Sequence, residues 1–158
     1  MPEPERMNLP AGYGDFEPFT VESAPDWDDF EGTLERSRNY WVAVSDEIGP
    51  HTVPVWGLWT DGGFLFSTDR MSRKGRALAN GGICVIHLES GDDVMVVHGR
   101  AERLPVSQYE AFVAAYDRKY GVLLDPEDRA QVIFRVVPFV AYSWLERDFQ
   151  RTAVRWSF

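Results

Sequence analysis

The residues best suited to chemistry stand together between positions 64 and 76. An apolar run, Phe64-Leu65-Phe66, ends in two hydroxyls, Ser67 and Thr68. After Asp69-Arg70-Met71 the chain resumes with Ser72-Arg73-Lys74. Such side chains suit a phosphate. Arginine offers a bidentate fork, lysine a point charge, and the N–H groups at a helix start point outward with partial positive charge. Arg70, Arg73, Lys74 and Arg76 gather positive charge in a chain whose formal net charge is −9. A basic helix face that simply meets water looks the same locally, so the segment by itself leaves both readings open.

For these groups to converge, Phe64 to Thr68 must be a strand and Ser72 must open a helix. The surrounding pattern supplies both. Thr60-Asp61-Gly62-Gly63 predicts a tight hairpin before the strand. Ser72 can cap a helix running to about Ala79, and Asn80-Gly81-Gly82 stops it. Upstream, Asn39 to Ser45 reads as a strand, Gly49-Pro50 as a turn, and His51 to Trp59 as a strand. Pro54 within that strand cannot donate to a ladder and demands an edge or a bulge. Downstream, Ile83 to Glu89 and Val94 to Leu104 are strands around a Ser90–Asp93 turn, with Gly99 a candidate bulge. Ser107 and Glu110 form a capping box for a helix to Tyr120. Asp125-Pro126 starts a short helix or turn, Ile133 to Leu145 is a strand bent near Pro138, and Thr152 to Phe158 is the last strand. Near the start, Asp26 caps a helix with Trp27, Phe30 and Leu34 on one stripe. Residues 1–22, rich in Pro and Gly, read as an extended N-terminal arm ahead of one domain over 23–158.

The result is a mainly β, α+β chain of six or seven strands joined mostly by hairpins, with two or three inserted helices. Strands and helices do not alternate, which excludes a doubly wound parallel sheet. No glycine-rich dinucleotide fingerprint and no nucleotide-hydrolase phosphate loop is present. The acidic balance disfavours nucleic acid and anionic membranes, and no stretch approaches the ~20 apolar residues that span a bilayer. One cysteine, Cys84, permits no internal disulfide and reads as a core residue. No basic, apolar leader precedes the arm, so the expected location is cytoplasmic. His51, His87 and His98 have no zinc-type spacing, so no metal is expected. No serine carries a nucleophile-elbow pattern. Six Trp, six Tyr and ten Phe suggest a cavity, a large interface, or an aromatic-rich core.

From Tyr40 to Leu104 the order and spacing of these pieces resembles the pyridoxamine 5′-phosphate oxidase-like family. The matching pieces are Val53-Pro54-Val55-Trp56-Gly57, the Asp61-Gly62-Gly63 hairpin, Phe66-Ser67-Thr68, Ser72-Arg73-Lys74, and Gly99-Arg100-Ala101-Glu102-Arg103-Leu104. The tail Thr152 to Phe158 resembles the ending of smaller, actinobacterial-type members.

The resemblance implies a Greek-key split β-barrel that pairs into a homodimer and holds FMN, or its deazaflavin analogue coenzyme F420, between the subunits. It places Thr52, Val53, Pro54, Val55 and Trp56 along the tricyclic ring. Ser67 and Thr68 lie at the ribityl chain and phosphate, and Ser72, Arg73 and Lys74 on the phosphate itself. Val94 reaches in from the partner subunit. Trp56 and Trp144 suit packing near such a planar ring, with plain core or interface packing the other reading for Trp144. Backbone N–H groups near Pro54 to Trp56 would stabilise charge on the reduced ring. Val94 replaces a polar amide of the oxidase, which argues for a non-oxidase member. Arg155 and Trp156 are the nearest counterparts of the oxidase's substrate-binding residues. The implied activity is hydride transfer to or from a small organic substrate. The alternative is a carrier of FMN, F420 or haem that turns nothing over.

Overall fold

The structure is a computed structural model that describes residues 1–14 and 25–158. The part of the expected arm over 15–22 lies outside the described residues. Among those described, nine strands join one antiparallel sheet. They are β1 (Glu3–Arg6), β2 (Tyr40–Asp46), β3 (Gly49–Val55), β4 (Gly57–Thr60), β5 (Gly63–Asp69), β6 (Gly82–His87), β7 (Asp93–Arg103), β8 (Gln131–Leu145) and β9 (Val154–Ser157). The main path runs β1-β9-β8-β7-β6-β2-β3, and β5 joins β4 to β8. Strand β8 is the spine. Its first half pairs with β5 (Phe64 opposite Val136) and its second half with β9 (Ala141 opposite Trp156), while β7 follows it along the other side. The barrel stays open, with β3 and β1 at free edges. This is the expected split barrel.

The bend in β8 has its cause in β7. The register shifts between His98 and Gly99, opposite Pro138. A Cβ on Gly99 would sit 2.4 Å from Val136 Cγ1 and 2.8 Å from Val137 O, so only glycine lets the strands close there. Helices α1 (Trp27–Arg36), α2 (Arg73–Ala77), α3 (Tyr109–Tyr120) and α4 (Phe149–Thr152) complete the described fold. Asp26 caps α1, accepting from Asp28 N at 3.1 Å, and Trp27 and Leu34 are buried. The main core lies inside the barrel, around Tyr40, Phe64, Phe66, Phe134 and Trp156. A second core sits between α3 and the β4–β5 hairpin, around Leu58, Leu65, Phe112 and Ile133.

Four expectations change. Glu3–Arg6 is a paired edge strand, with Pro4 opposite Trp156, not an unpaired arm; an edge is where a strand tolerates proline. The turn after β2 centres on Glu47-Ile48, because the Asp46 carboxylate accepts from the N–H of Ile48 and of Gly49, and Gly49-Pro50 already belongs to β3. The expected His51–Trp59 strand is two strands broken at Trp56, which together with β1 raises the strand count above seven. The Ser107–Glu110 capping box does not form, since Pro105 starts a 3₁₀ turn over Val106–Gln108 that feeds α3 with no side-chain cap.

Candidate functional site

A cleft of about 390 Å³ opens where the free edge of β3, the end of β5, the start of α2 and the face of α3 meet. Pro54, Val55 and Trp56 form one wall, Ser67 and Lys74 another, and Asn39 and Tyr116 close it. A larger cavity of about 460 Å³ lies between α3 and the 123–126 loop, but it is apolar apart from two carboxylates. It has no group to hold an anion.

The basic wall is built by α2. Ser72 caps that helix, its Oγ accepting from Gly75 N at 3.1 Å, and Thr68 Oγ1 lies 3.0 Å from it. Ser67 Oγ donates to Gln131 Oε1 at 3.1 Å. Arg73 turns away from these hydroxyls. Its Nε and Nη2 donate to the two Asp46 carboxylate oxygens, both at 2.7 Å, and Nη2 also donates to Gly49 O at 2.9 Å. That guanidinium holds the Asp46 carboxyl well below the usual carboxylate range. Lys74 faces the cleft, half-buried, with no acid or acceptor among the described residues, and burial pushes its ammonium pKa down. Arg70 and Arg76 are exposed, and Arg76 donates to Met71 O.

The aromatic wall is a bonded knot. Trp56 stacks on Tyr120 with ring centroids 4.7 Å apart and planes parallel, the Arg38 guanidinium lies 4.8 Å from its ring, and its Nε1 donates to Asn39 Oδ1 at 3.2 Å. Behind it, the Tyr120 hydroxyl accepts from Gly57 N at 3.0 Å, and its single proton is shared between Arg38 O at 2.8 Å and Gly57 O at 2.7 Å. Gly57 is required: a Cβ there would lie 2.4 Å from the Phe64 ring. Lys119 Nζ donates to Tyr40 OH at 2.8 Å, Glu35 O at 3.0 Å and Gly57 O at 3.1 Å. Burial lowers its pKa to about 8 against an opposing pull from Glu35.

The register of β3 decides which backbone groups reach the cleft side. Pro50, Thr52 and Pro54 lie opposite Ser45, Ala43 and Trp41, and neither proline has an N–H to give to β2. Alternation in an antiparallel ladder therefore turns Pro50, Thr52 and Pro54 to the free edge and Val53 and Val55 toward β2. Pro54 has no N–H. Of the donors expected near Pro54 to Trp56, those that can face outward are Thr52 N–H and, past the strand break, Trp56 N–H.

Five of the residues expected from the sequence thus line one cleft: Pro54, Val55, Trp56, Ser67 and Lys74. Thr68 and Ser72 stand beside it, and Thr52 and Val53 continue along β3. Val94 and Trp144 lie opposite each other at the far end of β7 and β8, and neither lines the cleft of its own chain. Asn39, Tyr116, Tyr120, Arg38 and Lys119 were not anticipated. Tyr116 and Tyr120 carry a usable signal, since an i,i+4 pair of tyrosines marks one face of α3. Arg155 donates to Glu5 Oε2 at 2.6 Å, while Trp156 is buried and donates to Ser143 Oγ at 2.9 Å, so neither stands free as a substrate handle. Cys84 is buried, and its thiol is pushed up to about 12. Among the described residues no group of three His, Cys, Asp or Glu side chains could hold a metal, and no helix is long and apolar enough to cross a membrane.

The outer face of the sheet is apolar too. Trp41 and Ala43 on β2, Val85 and His87 on β6, Val94, Val96 and His98 on β7, and Phe139, Tyr142 and Trp144 on β8 alternate with the core residues, and each is partly exposed. A one-sided sheet would present polar residues here. The face begins at Pro54, opposite Trp41, so it is continuous with the cleft.

Comparison with known proteins supplies the context. A family model described as pyridoxamine 5′-phosphate oxidase matches residues 27–145. Solved structures share the fold at low identity. A conserved hypothetical protein from Mycobacterium tuberculosis is 21% identical over 83% of this chain and 91% of its own, with TM-score 0.65. A protein titled F420 reductase is 21% identical over 70% of this chain and 94% of its own, with TM-score 0.59. The haem storage protein HutZ from Vibrio cholerae is 14% identical over 71% of this chain and 87% of its own, with TM-score 0.59. Among curated proteins none matches.

Proposed function

The chain belongs to the pyridoxamine 5′-phosphate oxidase family, and from that premise we propose that it is an oxidoreductase using FMN or coenzyme F420. The cofactor is held in the cleft beside β3, at an interface between two copies of the chain. The observation that carries this reading is Lys74: a half-buried ammonium, without a counter-ion among the described residues, in a cleft bordered by hydroxyls. A buried charge is costly unless an opposite charge meets it. An anionic ligand group supplies that charge.

The residues present fit a phosphorylated tricycle. Lys74, Ser67, Thr68 and Ser72 would hold the phosphate as one ammonium and three hydroxyls. Thr52 N–H and Trp56 N–H would orient the ring, and Trp56 and Tyr116 would exclude water from its edge. Arg73 serves differently: its pair with Asp46 fixes the start of α2 against the β2–β3 turn. The bound cofactor would itself carry the hydride chemistry. None of the residues lining the cleft is a cysteine, histidine or carboxylate, so the protein's part is binding, orientation and electrostatics.

A second copy of the chain is the natural cover for the apolar outer face. Two such faces meeting would bury it and bring the partner's far strand ends, where Val94 and Trp144 lie, toward the margin of the cleft. The neighbour that stores haem raises a carrier reading, but no imidazole lines this cleft to ligate iron. Titration of the purified chain tests the choice. Saturable binding of FMN or F420 by a dimer, with hydride transfer on adding substrate, supports the oxidoreductase. Binding without transfer supports a carrier, and a Soret band with no flavin affinity contradicts both cofactor assignments.

A further inference from the structure

Resting on that reading of the cleft, we propose that Asp46 makes the phosphate seat selective for a monoanionic phosphodiester, the linkage in the tail of F420, over the dianionic phosphomonoester of FMN. Two cations lead into α2, and one of them is already matched. Both Asp46 oxygens lie 2.7 Å from Arg73, one on Nε and the other on Nη2, and Gly49 O takes a further bond. A bidentate pair of this geometry uses a full edge of the guanidinium and balances its charge. Arg70 and Arg76 do not line the cleft, and as exposed cations they are screened by salt.

What remains for a ligand is one uncompensated ammonium, Lys74, beside uncharged hydroxyls: Ser67, bonded to Gln131, and Thr68 and Ser72, bonded to each other. A phosphomonoester carries about −1.5 to −2 at neutral pH. A diester carries a single negative charge, which Lys74 matches. The monoester would keep excess negative charge in a partly desolvated cleft, and that is unfavourable. The pair is therefore a specificity determinant acting through Arg73, with Asp46 as its positioning residue.

The test is a fluorescence titration of the full chain with FMN and with F420. The wild-type protein should bind F420 at least ~10-fold more tightly than FMN, and Asp46→Asn, which releases the Arg73 charge, should shift that ratio toward FMN by about 10-fold. The double variant D46N/R73Q deletes the pair without changing net charge and should keep the wild-type ratio. A wild-type protein that prefers FMN, or a ratio that Asp46→Asn leaves unmoved, overturns the proposal while leaving the cofactor site standing. Failure to bind either ligand removes both. Asparagine keeps the Oδ1 that accepts from Ile48 and Gly49, and the wild-type ratio is decisive even without the variant.

Discussion

Two lysines flank the cleft, alike in type and burial and opposite in circumstance. Lys119, behind the aromatic wall, donates to three oxygens and ties α3 to the end of α1 and to the break between β3 and β4. Lys74, on the basic wall, has no partner among the described residues. Desolvation lowers the pKa of both. The difference teaches how to separate scaffold from site: a buried charge with all its acceptors in place is part of the fold, whereas one left open toward a cavity awaits a ligand. The same contrast divides Arg73, spent on Asp46, from Lys74 beside it.

Substitution should separate the two roles. The largest effect is expected from Lys119→Met, which takes one donor each from Tyr40 OH, Glu35 O and Gly57 O. Urea unfolding should show a loss of about 2 kcal/mol or more, and a change below about 0.5 kcal/mol would erase the distinction. Lys74→Met should do the reverse, holding stability within about 0.5 kcal/mol while weakening cofactor binding about tenfold or more, since a charge-assisted bond contributes about 1.5–3 kcal/mol. Tyr120→Phe deletes the hydroxyl bridging Gly57 and Arg38 and should cost about 1 kcal/mol. The smallest effect is a pH slope. Lys119 has a folded pKa near 8 against an ordinary 10.5, so between those values the unfolded chain holds a proton that the folded chain has lost. Stability should therefore rise with pH from about 8 to 9.5. Burial holds Tyr40 protonated to higher pH than usual, which opposes that rise above its ordinary range. Lys119→Met should show a flatter slope than wild type across the window.

Local signals wrote most of the fold into the sequence. The Asp61-Gly62 turn, with both residues at positive φ, the Ser72 cap, the Gly99 bulge and the edge position of Pro54 all follow from properties of single residues. What the sequence hid was long-range. Nothing local tells that Glu3–Arg6 finds β9, because an exposed, proline-containing edge has no apolar alternation to announce it. The candidate site divides the same way. The hydroxyl and lysine cluster was visible because strand end and helix start are contiguous in the chain. Arg73 was legible as a cation but not as one claimed by Asp46, 27 residues away. The knot of Arg38, Asn39, Lys119 and Tyr120 joins α3 to segments around residue 40, and no spacing rule links them.

The role of Lys74 as the seat of an anionic cofactor tail is tested most directly by a crystal structure of the protein with its bound tricyclic cofactor. The expected result is a phosphate oxygen about 3 Å from Lys74 Nζ, the hydroxyls of Ser67, Thr68 and Ser72 around it, and the ring along Thr52 to Trp56. A cofactor whose phosphate rests elsewhere, with Lys74 pointing into water or closed off by its own chain, would contradict it.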